Sequence, residues 1–312
     1  MLACGYCFIV ASIFVFLLVL WHCFVSVNAS VFTYDQALAK CYELNLSIQK
    51  PEADGRTQTL NRKGAASASF DYVIRKFLEF GKGKEILEVG GCYGAVMLQA
   101  LKQSETDLKQ GESTKYVLSD LDERHLFIAA MCLSEKIQQN WLHQSSANQV
   151  KFVQVDITKS SKVQNLGQYD AVYVGKVFHF FTPEQLELAV QHLFLLLRPE
   201  GQIFITALSP YLKHYEKFIP EYERRVRAGD EYPGYIKKLR DYIDISDSTP
   251  LQITNMIDKT FLFLDPKTLK EVFERNGFKV LECQFVPLSH KSKLWHHDGR
   301  EYVILIAKKE SD

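Results

Sequence analysis

A short apolar run that stops at a pair of glycines constrains this chain more than any other stretch. Residues 84–94 read KEILEVGGCYG. Ile86, Leu87 and Val89 have the pattern of a buried parallel strand. Gly90 and Gly91 follow at once, then Gly94, and AVMLQAL continues with helical spacing. Strand, glycine turn and helix in that order hold a nucleotide-like ligand at a helix N-terminus. Glycine is needed where the backbone turns sharply or where a ligand comes close to it. Glu88, at the strand end, selects among ligands. A carboxylate two residues before the first glycine repels the pyrophosphate of NAD and attracts a ligand that carries an ammonium group.

The rest of the chain repeats this alternation. A second strand, YVLS, ends at Asp120, and LDERHLFIAAMCLSEKIQQNW follows with helical character. A third strand over residues 150–155 ends at Asp156-Ile157. A fourth, YDAVYV, runs into GKVFHFF. Thr182-Pro183-Glu184 opens a helix, with Thr as cap and Pro in the first turn. Residues 198–201, RPEG, break that helix, and QIFITAL is a fifth strand. Asp265-Pro266 opens a further helix that Gly277 ends. A sixth strand spans residues 278–286, and EYVILIAKK is a seventh.

EILEVGGCYG resembles the first motif of class I S-adenosylmethionine-dependent methyltransferases, an acid followed by glycines in the pattern ExGxGxG. Cys92 stands where the middle glycine belongs. YDAVYVGKVFHFF and LLRPEGQIFIT are similar to later segments of the same family, in the same order, and the resemblance covers about residues 65–309. It implies an α/β fold, Rossmann-like. The expected sheet is seven-stranded and mostly parallel, with the last strand antiparallel between the fifth and sixth and helices on both faces. The resemblance also implies S-adenosylmethionine as cofactor and carries site roles onto this chain. Glu88 would hold the methionine ammonium directly or through water, with Gly90, Gly91 and Gly94 in the turn. Asp120, with Leu121, would take the ribose hydroxyls, and Asp156, with Ile157, the adenine. Gly175 would let the backbone approach the cofactor. Asp122 reads as a helix cap rather than a second ribose acid. His179, near the fourth strand's carboxyl end, or a tyrosine of the 209–260 insertion is the candidate base if the acceptor is a hydroxyl, and His179 has the alternative of a packing or helix-capping histidine.

Composition removes several function classes. Lys+Arg and Asp+Glu are equal at 37 each, so no global basic field gathers nucleic acid. Seven cysteines are scattered without ligand spacing, which argues for reduced thiols rather than a disulfide framework. Cys4-x-x-Cys7 has no second pair, and His290, His296 and His297 lack a carboxylate-histidine helix spacing, so no metal is expected.

The chain outside the core motifs divides into three parts. Residues 2–27 contain no Asp, Glu, Lys or Arg, and a bilayer takes ~20 apolar residues to span. Residues 1–29 therefore read as an N-terminal hydrophobic helix anchoring a membrane protein. Lys40, Lys50, Arg56, Arg62 and Lys63 after the span place the catalytic domain on the cytoplasmic side. Two alternatives stay open: a secretory signal cleaved near Val27-Asn28-Ala29, and an over-extended start. Residues 30–64 read as a linker with one short amphipathic helix, and residues 65–80 as a helix with Phe70, Val73, Ile74, Phe77 and Leu78 on one face. Residues 209–260 are an insertion rich in Tyr, expected as a lid of two helices broken at residues 229–234. The function expected is methyl transfer to a small-molecule or lipid-like acceptor. The alternative is a methyltransferase-like scaffold that has lost activity, motivated by Cys92 and the long insertion.

Overall fold

In the computed structural model the described residues are 29–51, 56–60, 62, 64–67, 72–108, 113–159, 163, 166–244, 251–287 and 296–311. The sequence features read at residues 1–28 and at His290 lie outside them.

The strands expected from the apolar runs form one sheet with helices on both faces. In chain order its strands are β1 (Ser30–Thr33), β2 (Glu85–Val89), β3 (Lys115–Asp120), β4 (Val150–Gln154), β5 (Tyr169–Gly175), β6 (Leu197–Leu208), β7 (Phe278–Val286) and β8 (Tyr302–Lys309). They lie in the order β1-β4-β3-β2-β5-β6-β8-β7. From β4 to β6 the pairing is parallel. The last strand, β8, is antiparallel to both of its neighbours, β6 and β7. The order reverses between β2 and β5, and the carboxyl ends on either side of such a switch leave a crevice.

The sheet has eight strands rather than seven because Ser30–Thr33 pairs antiparallel with β4. Four residues are too few to show a period, so this strand was hidden in a stretch read as linker. Phe32 turns inward onto Phe127 at 5.1 Å. The helix α1 (Tyr34–Glu43) follows under a Thr33–Gln36 capping box and buries Ala37 and Cys41.

Helix α2 covers Tyr72–Phe80, shorter than the expected 65–80, and buries Val73, Ile74, Phe77 and Leu78. Ala65–Ser67 instead pairs with Arg56–Gln58 as a two-stranded ribbon. Helices α3 (Ala95–Leu108), α4 (Glu123–Gln138) and α5 (Pro183–Leu196) follow β2, β3 and β5.

The insertion differs from the two helices expected. Helix α6 (Ile219–Ala228) ends at Gly229, which caps it at φ +80°. Beyond Gly234 the chain pairs Tyr235–Ile236 with Phe261–Leu262 instead of resuming a helix. A Cβ at Gly234 would lie 2.1 Å from the Phe263 carbonyl oxygen, so the two segments run in direct backbone contact. A short helix α7 (Leu251–Met256) and then α8 (Pro266–Arg275), capped by Asp265, lead back to the sheet.

The insertion's tyrosines build a core of their own. Tyr211, Tyr215, Phe218, Tyr222 and Phe263 pack together. Tyr222 donates its hydroxyl to Asp265 at 3.0 Å. Arg224 and Arg225 are held by Glu221 at 2.7 and 2.8 Å.

Among the described residues, no helix is long and apolar enough to cross a membrane. Nor does any cluster of three His, Cys, Asp or Glu there have metal-binding geometry.

Candidate cofactor and active site

A cavity of about 410 Å³ opens at the carboxyl ends of β2 to β5. Sheet order lays out its wall. Asp156 and Ile157 follow β4, Asp120 ends β3 with Leu121 after it, Gly90 follows β2, and Lys176 follows β5. Five of the nine cofactor residues expected from sequence thus meet in one crevice.

The glycine turn is fixed by packing. Gly90 has φ +72°, and a Cβ there would lie 2.5 Å from Val177 Cγ2. The amides of Gly90 and Gly91 both donate to the Ser119 carbonyl, at 2.8 and 3.0 Å. Cys92 takes a left-handed conformation, φ +49°, in the place of the motif's middle glycine. Its amide donates to Asp120 Oδ2 at 3.0 Å, so the turn closes despite the side chain. Left-handed backbone costs an L-residue roughly 1–2 kcal/mol, and this contact helps to hold it.

Asp120 is the centre of the polar wall. Besides Cys92, it accepts from the Asp122 amide on Oδ1 at 3.0 Å and meets His125 Nδ1 at 3.1 Å. His125 Nε2 accepts from the Leu60 amide at 3.3 Å, which assigns the proton to Nδ1. Asp122 caps α4, accepting from the Arg124 amide, and lies outside the wall.

Asp156 Oδ1 accepts from the Thr158 amide and hydroxyl, at 3.0 and 2.6 Å, and Lys159 lies 3.4 Å from Oδ2. Burial opposes its ionisation, but these partners outweigh burial and hold the carboxyl below its ordinary range. Beside the cavity Leu121 is 65% exposed, an apolar surface at the mouth.

The other expected residues sit behind the wall. Val89 lines the cavity, so strand alternation turns Glu88 to the opposite face of the sheet. There Glu88 is 4% exposed and accepts from the Tyr116 hydroxyl at 2.7 Å. Burial pushes its carboxyl up to about 8, with the Tyr116 hydrogen bond opposing and Asp120 adding to the rise. A Cβ at Gly91 would lie 2.7 Å from Glu88 Cδ, so Gly91 forms a lid one atom thick over this acid. Gly94, at φ +74°, starts α3 and packs on Met97. Gly175 covers the Tyr173 hydroxyl, where a Cβ would come within 2.4 Å.

His179 also lies outside the wall, with its ring 3.9 Å from Phe180 and 5.0 Å from Phe261. Burial, with Lys176 nearby, pushes its imidazole down to about 3. Such a ring is neutral at pH 7 and a weak base.

Several wall residues carried no motif. Gly64 reaches the cavity from the ribbon of residues 56–67. That ribbon is pinned by Leu60 on His125 and by the Tyr93 hydroxyl on the Gln58 carbonyl at 2.9 Å. Asn255 adds a bond to the Arg62 carbonyl at 2.7 Å, joining the ribbon to the insertion. Val177, Phe180 and Phe181 come from the segment after β5, and Met256, Lys259 and Thr260 from the insertion. His192, buried under the wall, bonds the Ile157 carbonyl through Nδ1 at 2.6 Å and sets that loop. Only the tertiary fold brings these together.

The fold and the crevice define a nucleotide-type cofactor enzyme built on a switch-point sheet, and comparison with known proteins makes that specific. A family model described as a methyltransferase domain matches residues 62–283. The chain belongs to this family and is an S-adenosylmethionine-dependent methyltransferase. Among solved structures, a SAM-dependent methyltransferase from Methanosarcina mazei aligns over 78% of this chain and 100% of its own, at 12% identity and a TM-score of 0.52. At that identity it shows a common fold. Two others align with TM-scores of 0.44. One is the N-methyltransferase NodS from Bradyrhizobium japonicum in complex with S-adenosyl-L-homocysteine, at 11% identity over 77% of this chain and 84% of that one. The other is magnesium protoporphyrin IX methyltransferase from Synechocystis with bound SAH, at 13% identity over 80% and 91%. No curated protein matches.

The residues present fit the cofactor. The cavity lies in the range of small-molecule sites, roughly 300–1,000 Å³. Its wall offers two carboxylates at adjacent strand ends and a glycine that a side chain could not replace.

Proposed function

We propose that this enzyme methylates a small-molecule or lipid-like acceptor in the cavity above β2 and β5, with Asp120 and Asp156 holding the cofactor's nucleoside. The observation that carries this reading is the meeting of Asp120, Leu121, Asp156 and Ile157 in one wall, one strand removed from Gly90. In this reading Asp120 accepts from the ribose, Asp156 from the adenine amino group, and Leu121 and Ile157 flank the ring.

When bound, S-adenosylmethionine supplies an activated methyl group on a sulfonium sulfur. The protein's part is alignment and exclusion of water. Phe180, Phe181 and Met256 supply the dry surface and close the acceptor side, which gives the insertion the role of a lid. Neither His179 nor any insertion tyrosine lies in the wall, so no side chain is assigned as base. Glu88 acts beneath Gly91, where an ammonium group above the turn favours its ionised form.

Residues 2–27 suit a membrane anchor with the catalytic domain on the cytoplasmic side, and a lipid-like acceptor is compatible with that placement. Protease protection of the full chain in sealed membranes tests it. A chain released by alkaline carbonate would sink the anchor.

Isothermal titration with S-adenosylhomocysteine tests the site. Asp120→Ala and Asp156→Ala should each weaken binding by ~1–3 kcal/mol, the worth of a charge-assisted hydrogen bond. Unchanged affinity in both variants would remove the nucleoside from this wall.

A further inference from the structure

The cavity is polarised along the sheet. Both of its carboxylates, Asp120 and Asp156, stand on the β3 and β4 side. Both of its ammonium groups, Lys176 and Lys259, come from the other side, after β5 and from the insertion. The segments that carry the lysines also supply Val177, Phe180, Phe181 and Met256 to the wall.

Neither lysine is neutralised locally. Among the described residues, Lys176 and Lys259 form no ion pair. Asp258, the acid next to Lys259 in sequence, is taken by Arg240 at 2.9 Å. Lys176 Nζ sits 5.1 Å from the centre of the Tyr302 ring, a contact that steadies a cation without cancelling its charge. Its backbone is held at φ +58° by a bond from its amide to the Thr206 carbonyl at 2.6 Å. Non-glycine backbone in that region persists only when its surroundings enforce it, and it clusters at ligand clamps.

Resting on the methyltransferase reading of this cavity, we infer that the acceptor is an amphipathic anion. It has an aromatic or otherwise apolar body that packs on Phe180, Phe181 and Met256, and a carboxylate or phosphate that Lys176 and Lys259 hold. A compact ammonium binds such groups as a point charge, so either anion satisfies the pair. The anionic group has two possible sources, the acceptor or the carboxylate of the cofactor itself. Lys259 favours the acceptor, because it comes with Met256 from the insertion rather than from the sheet that frames the cofactor.

The test uses the full chain saturated with S-adenosylhomocysteine and two fluorescent probes with the same aromatic body. One, 8-anilinonaphthalene-1-sulfonate, is an anion; the other, N-phenyl-1-naphthylamine, lacks the sulfonate. The anion should bind roughly 10-fold tighter than the neutral probe. Lys176→Met with Lys259→Met should erase that preference and leave the neutral probe within about 2-fold, whereas Lys176→Arg with Lys259→Arg should keep it. Equal binding of the two probes by the wild type would overturn the inference. So would a preference that survives the methionine pair, or one that is lost with the arginine pair. Titration of S-adenosylhomocysteine into the methionine variant separates the two anion sources. Unchanged affinity is expected, and a loss of about 10-fold would assign the lysines to the cofactor carboxylate and refute an anionic acceptor. Failure of the wild type to bind S-adenosylhomocysteine at all has a different signature and removes the cofactor reading and this inference together.

Discussion

The two ends of the cavity are built differently. At the end formed by β3 and β4 each carboxylate is held by the protein: Asp120 by two amides and His125, Asp156 by Thr158 and Lys159. Its walls are strand ends of the central sheet. The lysine end is assembled from segments outside that sheet: the ribbon of residues 56–67, the turn Phe178–Phe180 and the insertion. Its polar groups are less engaged, as the two lysines illustrate. One end is thus a preorganised frame, and the other is built from additions whose change leaves the sheet intact.

Substitutions can break or sharpen this contrast. The largest effect is expected beneath the frame. Glu88 keeps its proton in the folded chain up to about pH 8, whereas a free carboxyl of this type ionises near 4.5. The folded state therefore holds the extra proton, and stability should fall as pH rises through that window, by on the order of 3–5 kcal/mol. Glu88→Gln should flatten thermal-melting profiles between those limits. A wild-type profile already flat there would refute the buried acid.

Gly90→Ala comes next. It combines φ +72° with a 2.5 Å approach to Val177, and should cost on the order of 2–4 kcal/mol in denaturant melts. A cost below that of an exposed loop change would mean that the frame is soft.

His125→Phe tests the bridge between the two ends. It leaves Asp120 short of one donor and the Leu60 amide without its acceptor, for a loss of ~1–3 kcal/mol. Hydrogen exchange should show Leu60 losing protection while the amides of Gly90 and Gly91 keep theirs. Equal loss at all three would erase the distinction between frame and addition.

The smallest effect belongs to Cys92→Val. A branched side chain at φ +49° should cost ~1–2 kcal/mol by thermal melt, with the Asp120 contact retained.

What could be read from the sequence follows the same division. The strands, the glycine turn, Asp120 and Asp156 announce themselves locally, because an apolar run and the residue that ends it are adjacent in sequence. The resemblance assigned Glu88 to the methionine ammonium, directly or through water, and period-two alternation places it on the face opposite Val89, beneath Gly91. Gly64, His125, Lys176 and Lys259 had no such signal. Their meaning comes from contacts such as Leu60 to His125, 65 residues apart, which no local pattern encodes. The ribbon was hidden for a related reason. Three-residue strands carry no period, and Ala65–Ser67 was absorbed into the helix that follows.

The edge strand β1 carries one more consequence. Its pairing sets Ser30 opposite Gln154, two residues short of Asp156, so the chain enters the fold at the pole where the crevice opens.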